Sequence, residues 1–173
     1  MSRRPDDLLL GEWACLGLLF LEPSHGFAIA ARLKPDGDIG RVWSLSRPLT
    51  YRALEQLEQR GLIAAVGEER GIAGGNRTIY APTRAGRARI RKWMKEPVAH
   101  SRDLRSELLL KLLIAEMADI DVSSMLDAQS DVIAAVAAAH RAKVPDRGRA
   151  DVVDLWRAES SEAALRFLER VRR

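Results

Sequence analysis

Apolar and polar positions alternate along this chain in four distinct ways, and each predicts an element. From Asp6 to about Leu21, the apolar residues Leu8, Leu9, Trp13, Leu16, Leu19 and Phe20 recur nearly all round a helical projection. A helix of that kind has to be covered on more than one side. Pro23 closes it, and Ser24 can cap a second helix running to Leu33. There Phe27, Ile29, Ala30 and Leu33 are the packing positions, and Arg32 and Lys34 face solvent. The breakers Pro35, Gly37 and Gly40 make residues 35–43 a connector whose end, Val42-Trp43, tucks under a third helix.

The third pattern, Ser44 to Ile63, has a start, a stop and two unlike faces. Ser46 is a cap, Pro48 sits where a missing N–H costs nothing, and Gly61 ends the helix in the left-handed region with Leu62 folding back onto it. At about 100° per residue, Leu49, Ala53, Leu54 and Leu57 share one side. Arg47, Pro48, Tyr51, Arg52, Glu55 and Gln59 share the other. After Gly61 the period shortens. Leu62–Val66 and Arg77–Ala81 read as two strands, with Gly71, Gly74, Gly75 and Asn76 supplying the turn. Thr83 caps a further helix carrying Ala85, Ala88, Ile90, Trp93 and Met94, and Pro97 ends it.

The remainder is helical. Leu104–Met117 carries an apolar stripe of Leu108, Leu109, Leu112 and Leu113. A second helix starts at Asp121 or Ser123 and stops at Pro145 and Gly148; a last one, from about Arg149, holds Val152, Trp156, Phe167, Leu168 and Val171. The expected fold is therefore mainly α with a small β-hairpin. Residues 1–97 form a winged helix-turn-helix, and residues 98–173 form a helical dimerisation domain. So much apolar surface on so few helices calls for a partner, most simply a second copy of the chain, with the first helix joining the same interface.

Charge sharpens this picture. The chain of 173 residues is 47% hydrophobic and carries a net charge of +4. Residues 98–173 hold 12 Lys+Arg against 13 Asp+Glu, whereas residues 41–95 hold 12 against 4. The basic excess thus surrounds the third helix, as expected of a part that meets phosphates. Cys15, the one cysteine, lies in an apolar run and reads as a buried thiol. The run Leu8–Leu21 is interrupted by Glu12 and too short to span a bilayer; without a small-residue cleavage site it is also a poor signal peptide, so a cytoplasmic protein is expected.

The third helix suits a DNA major groove, with Arg47, Tyr51 and Arg52 meeting double-stranded DNA and Ser46 and Thr50 as weaker candidates. Thr50 also falls near the apolar side, where packing is the competing role. In the wing, Arg70, Asn76 and Arg77 are placed for phosphates or the adjacent minor groove. The alternative is a winged-helix module that docks an acidic protein, and Glu55 and Glu58 near the same face keep it open. Catalysis is not expected. His25, His100 and His140 form no metal-ligand or nucleophile–base spacing, no phosphate-binding loop is present, and no cofactor or metal is implied. His25 is expected to cap or pack at the start of the second helix.

Three stretches together resemble the PadR-like transcriptional regulators: His25-Gly26-Phe27, the run from Tyr51 to Ile63, and the run from Asn76 to Gly86. The one departure is Pro82, where the family usually has leucine before the threonine. The resemblance extends over nearly the whole chain, the helices after residue 104 being similar to the class with a long C-terminal domain. It implies a homodimeric repressor on a roughly palindromic operator, released by a small hydrophobic or phenolic effector. The effector site is not indicated by any residue pattern, and Trp13, Trp43, Trp93 and Trp156 are only the obvious aromatic surfaces.

Overall fold

The computed structural model describes residues 7–70, 75–145 and 149–172. It is mostly helical, with a small three-stranded antiparallel sheet, and divides into two compact units. The first comprises the residues up to Trp93 together with Leu109–Ile120; the second comprises Met94–Leu108 and the residues from Asp121 onward. Gly71, Gly74 and Gly148, assigned above to a turn and a helix break, lie outside the described residues.

In the first unit the order is α1 (Leu10–Leu21), β1 (Ser24–His25), α2 (Gly26–Arg32), α3 (Arg47–Gln59), β2 (Ile63–Arg70), β3 (Asn76–Pro82) and α4 (Arg84–Met94), with α5 (Leu109–Met117) completing it. This is the order of a winged helix. Helix α1 is its axis: Ala14, Cys15, Leu16, Leu18 and Leu19 are all but inaccessible, enclosed by α3, β3 and α5. Its inward residues are thus covered within its own unit, while Leu9, just before it, is 51% exposed and Leu10, Trp13, Phe20 and Leu21 are half-buried. Trp13 stacks on Trp93 of α4 with ring centroids 4.6 Å apart. Glu12 is buried, yet its carboxylate accepts the Leu9 amide at 2.7 Å and lies 3.7 Å from the Arg60 guanidinium at the end of α3. A buried charge has to be matched in this way. Burial also pushes the Cys15 thiol far above its ordinary pKa, so it is unreactive.

Helix α2 begins two residues later than expected. Ser24 is not its cap; Ser24 and His25 pair instead with Tyr80 and Ile79 of β3, and the His25 ring caps the helix. The hairpin runs in register from Ile63↔Pro82 to Arg70↔Asn76, with an irregularity between Ala65 and Gly67. Pro82 thus ends a strand at which the hairpin is already complete. Strand β2 also extends through Gly67–Arg70, a stretch expected as turn. Thr83 caps α4 as expected, accepting the Gly86 amide at 3.1 Å while donating to the Gly61 carbonyl at 2.7 Å. Ala85 and Ala88 face outward, and Ile90, Trp93 and Met94 are buried.

The predicted helix Leu104–Met117 is helical throughout but not uniformly α. A 3₁₀ turn (Ser101–Asp103) and a π turn (Leu104–Leu108) precede α5, and a π turn adds a residue that rotates every later position. The buried set is accordingly Leu108, Leu110, Lys111, Ile114 and Ala115, with Leu109, Leu112 and Leu113 only half-buried. In the second unit, α6 (Ser123–Arg141) and α7 (Val152–Val171) pair side by side. Gln129, fully buried, closes a two-way bond with the Val98 backbone at 2.7 and 3.1 Å. Asp121 accepts the Ser123 amide at the start of α6, and Asp151 caps α7.

Candidate nucleic-acid interface

Helix α3 supplies the exposed face of the first unit. Its C-terminus closes as the sequence predicts. Gly61 has φ +65°, its amide bonds the Glu58 carbonyl at 2.8 Å, and the Leu62 amide reaches Leu57 at 2.9 Å. The N-terminus closes differently. Ser46 occupies the cap position, but its side chain caps nothing; its carbonyl instead accepts both the Thr50 amide at 3.0 Å and the Thr50 hydroxyl at 3.1 Å. Thr50 is wholly buried beside Ala53, Leu54 and Leu57, so it packs and has no surface to offer DNA. Leu49, expected inside, is half exposed. Ala53, Leu54 and Leu57 are buried as expected, and only the first position of the stripe changes: Thr50 takes the place of Leu49, its hydroxyl satisfied by the Ser46 carbonyl.

The predicted polar side is outward: Arg47, Pro48, Tyr51, Arg52, Glu55 and Gln59 are all exposed. Glu55 accepts from Gln59 at 3.2 Å, and Arg60 turns to Glu12. Among the described residues, Arg47, Arg52 and Arg77 have no carboxylate partner.

His25-Gly26-Phe27 explains itself in this setting. The His25 Nδ1 accepts the Ala28 amide at 3.0 Å and so caps α2. Gly26 leaves room for α3: a Cβ there would lie 2.9 Å from the Tyr51 ring and 3.2 Å from Leu54. Phe27 points outward, 45% exposed. The Arg47 guanidinium lies 5.2 Å from the centre of its ring, and that of Arg77 lies 4.9 Å away. Arg47 also approaches the Tyr51 ring at 5.7 Å. These residues line a cleft of about 750 Å³ between α3 and the hairpin, with Tyr80 at its wall and Glu55 and Glu58 also on its lining. Burial, reinforced by Glu58, raises the Tyr80 pKa, so its phenol stays protonated.

The structure therefore brings Arg47, Tyr51, Arg52, Asn76 and Arg77 to one cleft and separates the rest of the predicted set. Arg70 stands at the far end of the hairpin opposite Asn76, whose amide donates to Glu68 at 2.7 Å. Phe27 and Tyr80 were missed as site residues. Phe27 sits at a position the helical pattern assigns to packing, and Tyr80 is one of many alternating strand positions.

Residues 15–92 match the model of the "Transcriptional regulator PadR-like family". No functionally curated protein matches the sequence. Among solved structures, the chain is similar to Bacillus subtilis PadR in complex with operator DNA, with 16% identity, a TM-score of 0.48, and coverage of 94% of this chain and 97% of that one. It is likewise similar to smu.1604c from Streptococcus mutans UA159, at 15% identity and TM-score 0.46 over 94% and 98% of the two chains. The PadR-like transcriptional regulator BC1756 from Bacillus cereus gives 22% identity and TM-score 0.43 over 97% of each chain.

Proposed function

We propose that the chain is a homodimeric, DNA-binding repressor of the PadR-like kind acting in the cytoplasm, a reading supported by the match of residues 15–92 to that family's model. Each protomer would set α3 into the major groove of one half of a roughly palindromic operator. One observation carries the reading: Arg47, Arg52 and Arg77 converge on a cleft between α3 and the hairpin without a carboxylate partner among the described residues. Two exposed guanidiniums on α3, Arg47 and Arg52, beside the half-buried Arg77 of β3 are matched to phosphates and to guanine edges. In a protein-docking module the same face would carry large apolar anchors.

The dimer is supported by α7, which exposes Val152, Leu155, Trp156 and Phe167. Apolar surface on that scale marks an association face. No described helix is long and apolar enough to cross a membrane. Release by a small hydrophobic or phenolic molecule follows from the family resemblance and would require that molecule to favour the conformation that fits DNA poorly.

The test is a mobility shift on the DNA immediately upstream of the protein's own coding region, against unrelated competitor, with wild type and with Arg47→Ala/Arg52→Ala. Specific, salt-sensitive binding that disappears in the double variant is expected. Binding that ignores salt and both substitutions would sink the reading and make docking to an acidic protein partner the one to pursue.

A further inference from the structure

We propose that Phe27 is a positioning residue that holds Arg47 and Arg77 as a paired guanidinium clamp for a single backbone phosphate of DNA. The inference rests on the DNA-binding reading above and assigns, within it, which arginines grip the backbone. Arg47 comes from the first position of α3 and Arg77 from the second position of β3. No regular hydrogen bonding joins these two elements. What they share is one ring: both guanidinium carbons lie within 5.2 Å of the Phe27 centroid. Two cations around one small ring are at most about a Debye length apart at 0.1 M salt. They repel each other, and the quadrupole of an exposed ring offsets little of that, about 0.5–1 kcal/mol per cation. The missing partner is an anion.

The nearby carboxylates do not supply it. Glu69 is the cross-strand neighbour of Arg77, yet its Oε2 is directed to the His25 Nε2 at 3.5 Å. The tautomer of His25 explains why. Nδ1 accepts the Ala28 amide, so the ring proton is on Nε2 and faces Glu69. That nitrogen cannot also accept from Arg77, whose terminal nitrogen lies 3.4 Å away. The donors of Arg77 therefore remain available. Glu55 and Glu58 lie further along α3, with Glu58 eleven positions from Arg47, about 16 Å along the axis. They repel a phosphate from that end of the cleft and confine it to the end where Phe27 stands. A phosphate accepts fork-like from guanidinium nitrogens, and an aromatic ring beneath each guanidinium keeps its plane fixed while leaving its edge free. Arg52, exposed and with neither ring nor acid against it, is left as the base reader.

The experiment measures binding by anisotropy to two duplexes, the upstream DNA of the gene and a random sequence of equal length, between 50 and 200 mM salt. The proteins are wild type, Phe27→Leu, Phe27→Trp, Arg77→Ala and Arg52→Ala. Phe27→Leu keeps an apolar side chain without a ring at a site already 45% exposed, and thermal unfolding confirms that each variant folds. The clamp predicts that Phe27→Leu and Arg77→Ala weaken binding to both duplexes about equally, roughly 10-fold. Each lost phosphate contact should also flatten the slope of log affinity against log salt by about 0.9 per protomer. Phe27→Trp should restore affinity and slope, a rescue that mere volume would not bring. Arg52→Ala should leave the slope unchanged and lower only the preference for the upstream duplex. Wild-type binding that Phe27→Leu leaves unaltered in affinity and slope overturns the clamp alone. Wild-type protein that binds neither duplex at 50 mM salt overturns the DNA reading and the clamp with it.

Discussion

Helices α3 and α7 are both amphipathic, and they present opposite faces to solvent. On α3 the inward stripe is Ala53, Leu54 and Leu57, and the outward side carries Arg47, Tyr51, Arg52 and Gln59. On α7 the inward positions include the small residues Ala158 and Ser161, whose hydroxyl bonds the Arg157 carbonyl at 2.6 Å and His140 at 2.8 Å. The outward side of α7 carries Val152, 75% exposed, Trp156, 72% exposed, and Phe167. At 100° per residue those three fall within about 60° of arc. Exposure by itself therefore says little about role. An exposed polar face with its own core behind it is complete as it stands and waits for a polar ligand. An exposed apolar face on a helix whose inward side, Ala158, Ser161 and Leu168, is already packed is half of a second core.

The largest effect should come from damaging that half-core. Trp156→Glu with Phe167→Glu is expected to turn dimers into monomers in sedimentation equilibrium, weakening association by about 100-fold or more, as for anchor residues at the centre of an interface. Wild type that sediments as a monomer at micromolar concentration would break the comparison outright. Next is the polar face. Arg52→Ala should cost about 1–3 kcal/mol of discrimination between the operator and unrelated DNA while leaving the thermal midpoint where it was. A comparable loss of thermal stability would mean that α3 is a structural helix like any other. A smaller effect belongs to the end of α3. Gly61→Ala forces a side chain into the left-handed region and should destabilise the fold by about 1–2 kcal/mol, lowering Tm by several degrees with DNA contacts intact.

The smallest effect is a surface pair that neither face uses. Arg32 grips Asp38 with three contacts of 2.6 to 3.1 Å, and that grip holds the Asp38 carboxyl below the usual carboxylate range. A depressed folded pKa stabilises above the unfolded value and loses that contribution as pH falls through the folded one. Wild type should therefore exceed Asp38→Asn in stability near neutrality, by up to about 1 kcal/mol for so exposed a pair. The gap should close once the pH falls well below 4, as followed by urea unfolding. A gap that widens in acid would refute the assignment.

Sequence pattern revealed α3 better than anything else because its signals are local: Pro48 near its start, Gly61 after its end, and an alternation of faces between them. It misplaced Leu49 and left Thr50 open between packing and DNA, since a buried hydroxyl bonded to its own helix is not visible in a hydropathy pattern. Strand β1 was not foreseen, because two residues leave no period and their pairing with Tyr80 and Ile79 is set by partners far along the chain. The π turn at Leu104–Leu108 left no compositional trace and displaced the apolar stripe that follows it. Within the site, the arginines and Tyr51 were legible from the polar side of one helix. Phe27 was not, because an outward ring between two guanidiniums looks, in sequence, like any core phenylalanine.

The hairpin that carries Arg77 has a further property. Of the eight residues in β2, only Ile63 is buried. The strand is held to β3 by its backbone ladder and to the body of the unit chiefly at one end. Elements with so few apolar anchors open without global unfolding, so the amides of Glu68, Glu69 and Arg70 should exchange with solvent far faster than those of Leu16 or Leu57. The hairpin can then part from the scaffold and re-form many times while α1 and α3 stay closed, and a duplex held there as proposed would register first as a slowing of that breathing.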